Sequence, residues 1–118
     1  MIRVRYEREQ YRLTADGHAC SAPYGTDLVC AAVSILLHTL EHMTRKLESE
    51  GRAVCDGCLR MGFSSIHCLP TEGNEAVVHW VMDTVSAGLE LLAEEFGEYV
   101  SYDEVRFVGG GVLDAPQI

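Results

Sequence analysis

A chain of 118 residues has room for one hydrophobic core and none for a second. With 47% apolar and 23% charged residues it is composed like a soluble globular domain, and its longest mainly apolar stretch, Leu28–Leu37, is broken by Ser34 and too short to span a bilayer. The whole net charge of −9 falls in residues 71–118, where ten acids face the single base Arg106, so nucleic-acid phosphates and anionic lipid are disfavoured as direct partners and a basic protein is favoured.

Ile2–Glu7 alternates as a strand does, with Ile2, Val4 and Tyr6 on one face and Arg3 and Arg5 on the other. Tyr11–Ala15 repeats the alternation, which predicts a hairpin through Arg8-Glu9-Gln10; Asp16-Gly17 ends the second strand. A loop of small residues, His18 to Gly25, follows. Thr26-Asp27 then supplies a helix start. Val29, Val33, Leu36, Leu40, Met43 and Leu47 recur at helical spacing as one apolar stripe, which Gly51 ends.

A third strand is expected at Arg52–Cys55, a tight turn at Asp56-Gly57, and a fourth strand from Cys58 to Leu69 with a bulge at Gly62. The second helix is expected from Asn74 to Glu98. Val78, Val81, Met82, Val85, Leu89, Leu92 and Phe96 form its inner face, and Glu90, Glu94, Glu95 and Glu98 its wet side. The plain reading of those acids is a solvated helix face. A short strand is possible at Val105–Phe107, and Gly109-Gly110-Gly111 opens a tail, 109–118, expected to be flexible. The order strand-strand-helix, occurring twice, predicts one α+β domain over 1–108. It would be a two-layer sandwich with two helices on one face of a mainly antiparallel four-stranded sheet.

The chemistry concentrates around Cys30. Placed near a helix start, its thiol would sit among unpaired N–H groups and the positive end of the helix dipole, which favour a thiolate. His18 lies at a strand end on a loop that must return to that same helix start. An imidazole there can serve Cys30 first as base and then as acid. Asp27 can cap the helix or orient His18, and Ser34, one turn after Cys30, can hydrogen-bond the thiol or a substrate backbone. The N–H groups around Thr26–Cys30 are candidates for an oxyanion site. Against this stands the ordinary reading of a cysteine beside Ala31 and Val33 as small core packing.

Gly17-His18-Ala19, followed by Gly25, Asp27-Leu28-Val29-Cys30-Ala31 and Val33-Ser34, resembles the signature of the ribosomal-processing cysteine protease family. The resemblance implies a small α+β homodimer that removes an N-terminal extension from a basic large-subunit ribosomal protein of bacteria. Cys30 would be its nucleophile and His18 its base. It implies that Ala19, Cys20, Ser21, Ala22, Pro23, Tyr24 and Gly25 form a lid over the substrate, that an apolar groove receives the residues before the cut, and that neither metal nor cofactor is required.

Other residues have competing readings. Cys20 is a second thiol close to the proposed base. Cys55 and Cys58 flank the expected turn and, with His67 and Cys68, raise a zinc site; adjacent His67 and Cys68 would point to opposite sheet faces, which argues against it. A thiol redox role for Cys55-x-x-Cys58 is weaker still, because such pairs open helices. His38 and His42 share a helix face without a completing ligand, and His79 and Trp80 read as rim, core or dimer-face residues. Without an apolar leader in Met1–Arg5, and with five cysteines, a reducing cytoplasmic location is expected. The rival to a protease is a non-catalytic module of the same fold that holds a ribosomal protein or assists ribosome assembly.

Overall fold

The alternation at the N-terminus becomes the centre of a sheet. In the computed structural model, which describes residues 1–18, 24–105, 107–108 and 111–112, β1 (Ile2–Glu7) buries Ile2, Val4 and Tyr6 and exposes Arg3 and Arg5. A single 3-10 turn, Arg8–Gln10, leads to β2 (Arg12–Gly17), antiparallel to β1 and running two residues beyond the expected Ala15. Tyr11 closes the turn in the left-handed region, at φ 54°. For a residue with a bulky side chain that costs about 1–3 kcal/mol. Its N–H donates to the Arg8 carbonyl, and its own carbonyl accepts from Cys68 N–H.

Helix α1 (Tyr24–Ser49) begins directly after Pro23, two residues earlier than Thr26-Asp27 indicated. Its core-facing stripe is Val29, Val33, Leu37, Leu40, Thr44 and Leu47, with Leu36 and Met43 half-buried. The next hairpin departs from the expected one. β3 (Ala53–Arg60) runs straight through Asp56-Gly57, and the chain reverses at Met61-Gly62 before β4 (Phe63–Pro70). Gly62, at φ +88°, supplies the left-handed conformation a two-residue turn requires. The longer hairpin pairs Ala53 with Pro70 through Arg60 with Phe63, and puts Ser64, Ile66 and Cys68 of β4 into the core. Gly62 is thus a turn residue and not a bulge. β3 lies at the edge of the sheet, where Asp and Gly are tolerated because one side of the strand carries no ladder.

Helix α2 (Glu75–Glu95) is shorter than expected at both ends. It buries Val78, Met82, Val85, Ser86 and Leu89, leaves Val81 and Leu92 half-buried, and leaves Phe96 exposed. By length and composition alone α2 could cross a membrane; here its apolar face closes the core. The sheet then gains a fifth strand, β5 (Val100–Val105), which pairs parallel to β1 and meets the short strand expected at Val105–Phe107 only at Val105.

The fold is α+β as expected, but its sheet is five-stranded and mixed, in the order β3-β4-β2-β1-β5, not four-stranded and mainly antiparallel. α1 packs on β3 and β4, α2 on β4 and β5, and the helices pack on each other. In the region of the expected tail, β6 (Phe107–Val108) and β7 (Gly111–Val112) pair as a separate antiparallel ribbon, and the other residues of 109–118 lie outside the described residues.

Candidate active site

β2 delivers His18 just past its last residue, and Gly17 shapes the delivery. Gly17 has φ +106°, and a Cβ on it would collide with the Met1 carbonyl, so only glycine lets the backbone pass there. Its N–H donates to the Gly62 carbonyl at 2.9 Å, which ties the end of β2 to the β3–β4 turn. The Met1 amino group donates to the His18 carbonyl at 2.5 Å. The exposed imidazole lies over Gly62.

α1 delivers Cys30 to the same place. His18, Cys30 and Ser34 line one groove of about 420 Å³, floored by Ile2, Ala15, Val33 and Leu37 and walled by the turn from Leu59 to Ser64. At its rim Met61 is 91% and Phe63 46% exposed, so the opening is apolar and accessible. The structure therefore gathers the predicted Cys30, His18 and Ser34 at one site. Asp27 is the fourth residue of α1; its side chain lies outside the described residues. Of the seven lid residues, Ala19 to Pro23 also lie outside them. Tyr24 and Gly25 are the first residues of α1 and not part of a loop.

The earlier helix start changes one argument. Cys30 is the seventh residue of α1, about two turns in, where the helix dipole has largely faded. The N–H groups without intrahelical acceptors are those of Tyr24 to Asp27, not of Leu28 to Cys30. The helix start therefore lends Cys30 little support as a thiolate.

Two imidazoles reach the groove, and one of them was not anticipated there. His38 lies one turn beyond Ser34, its Nδ1 at 2.9 Å from the Ser34 carbonyl and 3.4 Å from Ser34 Oγ. The signal was available: Cys30, Ser34 and His38 recur every fourth residue on one helix face. Eight residues of helix still separate His38 from Cys30, a rise of about 12 Å. His18 reaches the groove from another element.

The other described cysteines have different surroundings. Cys55 stands opposite Cys68 across β3–β4, not opposite Cys58, with the sulfurs 2.6 Å apart and Cys55 Sγ also directed at the Thr44 carbonyl. Burial pushes both thiols above the ordinary range, most strongly at Cys68, and so keeps them protonated. Cys30 is the exposed thiol among the described cysteines. Among the described residues no three His, Cys, Asp or Glu side chains gather as a metal-ligand set. Cys20 lies outside those residues.

His79 is half-buried: its ring stacks on Tyr11 at 4.5 Å and its Nε2 lies 3.3 Å from the Arg8 carbonyl. Trp80 beside it is 73% exposed and so no part of the core.

The fold has known counterparts. The Streptococcus mutans protein SMU.848 superposes with a TM-score of 0.66 at 25% identity, over 89% of this chain and 92% of its own. The ribosomal processing protease Prp from S. aureus, in complex with a covalently linked product peptide, superposes with a TM-score of 0.64 at 21% identity, over 87% of this chain and 96% of its own. The same protease with a substrate peptide gives 0.62 at 20% identity, with the same coverage. No curated sequence gives a significant match. The sequence model of the family described as cysteine protease Prp matches residues 1–101, nearly the whole of the described fold, and the chain belongs to that family of cysteine peptidases.

Proposed function

We propose that this peptidase is a cytoplasmic processing endopeptidase that removes the N-terminal extension of a large-subunit ribosomal protein, with Cys30 as nucleophile and His18 as base and acid. The observation that carries the reading is the convergence of Cys30, from α1, and His18, from β2, on one accessible apolar groove. The S. aureus proteases, whose fold this chain shares, are ribosomal processing enzymes seen with substrate and product peptides. The acidic second half of the chain suits a basic protein substrate.

His18 takes the Cys30 proton as the sulfur attacks the scissile carbonyl carbon, forming a C–S bond. The imidazolium then gives that proton to the departing amine as the C–N bond breaks. Water, deprotonated by His18, hydrolyses the thioester and restores the thiol. The unpaired N–H groups at the start of α1 are the nearest helix donors for the oxyanion. Asp27, inside the first turn of α1 and so no longer a cap, orients His18, and Ser34 supports from the next turn. Met61 and Phe63 meet the apolar side chains of the bound extension.

A homodimer belongs to this reading. Trp80, Thr84, Ala87 and Leu91 form an exposed strip along α2 that a second copy would cover. Trp80→Glu should then convert a dimer to a monomer in light scattering.

The decisive test incubates the protein with a peptide spanning the extended N-terminus of the ribosomal protein and reads the products by mass. One cut, lost in Cys30→Ser and in His18→Ala, is expected. Tight binding without any cut would instead make the domain a holder of ribosomal protein.

A further inference from the structure

The turn of the β3–β4 hairpin reaches the site from a part of the chain that holds none of the proposed catalytic residues. Gly62 meets His18 there in two ways. Its carbonyl accepts the N–H of Gly17, the residue that carries His18. Its Cα face lies directly beneath the imidazole: a Cβ on Gly62 would stand 2.9 Å from His18 Nε2, closer than side-chain carbons approach, and a tight 3.2 Å from Cε1. The backbone at Gly62, φ +88°, also favours glycine, but that alone implies no functional role. Gly73, between β4 and α2, has nearly the same conformation, φ +87°, and a Cβ there would meet nothing within 4 Å. The two glycines share a backbone requirement and differ in what lies over them.

We infer that Gly62 is a positioning residue of the peptidase: by lacking a side chain it seats the His18 imidazole in the groove facing Cys30. The inference rests on the Cys30–His18 pair proposed above. A methyl at Gly62 would push the ring off its seat without altering either reacting group. Relieving the contact shifts the ring by a few tenths of an ångström; misplacing a base by as much as 1 Å can cost on the order of 100-fold in rate, so a smaller loss is expected here.

The experiment compares Gly62→Ala with Gly73→Ala, which pays the same backbone cost without the contact, and with His18→Ala. Peptide cleavage and the pH profile of Cys30 alkylation by iodoacetamide are read on each. The melting temperature should fall by similar amounts in the two glycine variants. Of the two glycine variants, only Gly62→Ala should lose cleavage, by about 10-fold in kcat, and its alkylation profile should move toward that of His18→Ala. If Gly62→Ala cleaves and alkylates as Gly73→Ala does while His18→Ala is impaired, the seat has no role and the pair stands. If His18→Ala itself changes neither readout, the pair fails and the seat with it. Should Gly62→Ala not fold, the unmodified protein decides: a nuclear Overhauser contact between Gly62 Hα and the His18 ring protons supports the seat, and its absence overturns it.

Discussion

The β1–β2 ladder has two ends, about 20 Å apart along the strands, and they are built on opposite principles. At the Glu7–Arg12 end, charged and polar side chains bond one another within the fold. Asp83 of α2 accepts the Tyr6 hydroxyl at 2.7 Å and a two-pronged Arg8 guanidinium at 3.0 to 3.2 Å. His79 stacks on Tyr11 beside them. At the Ile2–Gly17 end, His18, Cys30 and Ser34 stand exposed around an apolar groove, held by backbone contacts of their neighbours. One end spends its hydrogen bonds on locking α2 and the 3-10 turn to the sheet. The other keeps donors, acceptors and a thiol available to a ligand. Stability and chemistry are thus separable by position along the same two strands.

The sharpest test of that separation is Cys30→Ser. Loss of the nucleophile should reduce peptide cleavage by at least about 1000-fold, while stability in a urea melt changes by less than about 0.5 kcal/mol, as at other exposed positions. Leu89→Ala is the converse. Leu89 is fully buried in α2, and its truncation should cost about 2–5 kcal/mol, yet the folded fraction should still be labelled at Cys30 by iodoacetamide at the normal rate. If Cys30→Ser destabilised the fold, or Leu89→Ala altered the folded protein's thiol reactivity, the two ends would not be independent.

What could be read from the sequence divides along physical lines. Elements that bury a regular face declared themselves: Ile2, Val4 and Tyr6 of β1, and Val29, Val33, Leu40 and Leu47 of α1, are buried as their spacing required. That His18 and Cys30 would line one groove was legible because a short loop from a strand must return to the next helix start. Elements whose existence depends on a distant partner were silent. β5 carries only a weak alternation over Val100–Val105 and exists by pairing with β1, far away in sequence. The hairpin turn was misplaced because Asp56-Gly57 is a strong local signal on an edge strand that can ignore it. The choice of Met61-Gly62 is made by the longer ladder and by Ile66 and Cys68 reaching the core. That misplacement also hid the wall of the groove, since Met61, Gly62 and Phe63 reach it only as a turn.

Asp83→Asn probes the locked end. Partial burial pushes the Asp83 carboxyl upward, but the hydrogen bonds from Arg8 and Tyr6 outweigh it and hold the group below the usual carboxylate range. A group with a depressed native pKa contributes stability above its unfolded value, about 3.9, and that contribution fades as pH falls through the lower native value. The variant should therefore lose about 1–2 kcal/mol near pH 7, a figure reduced for partial exposure. Below about pH 4 its stability should approach that of the unmodified protein. Parallel urea melts at pH 7 and pH 3 check this; an unchanged gap at pH 3 would mean that the carboxylate's charge plays no part.

The smallest effect belongs to an ion pair of the same chemistry in a different setting. Arg45 Nη2 meets Glu41 Oε1 at 2.7 Å, one turn apart on α1, a shorter contact than any Arg8 makes with Asp83. Distance alone would rank it first. The Arg45 side chain, however, is 69% exposed, against 26% for Arg8, and it makes one prong where Arg8 makes two. Water and salt compete for the exposed guanidinium, and holding its long side chain costs rotamer freedom. Arg45→Ala should thus cost no more than about 0.5 kcal/mol, and 1 M NaCl should erase the difference. Arg8→Ala should cost more and keep most of its effect in salt, because the Arg8 guanidinium is the more buried of the two and bonds both carboxylate oxygens of Asp83. Equal salt sensitivity of the two variants would break the contrast between a shielded, doubly bonded pair and a solvated one.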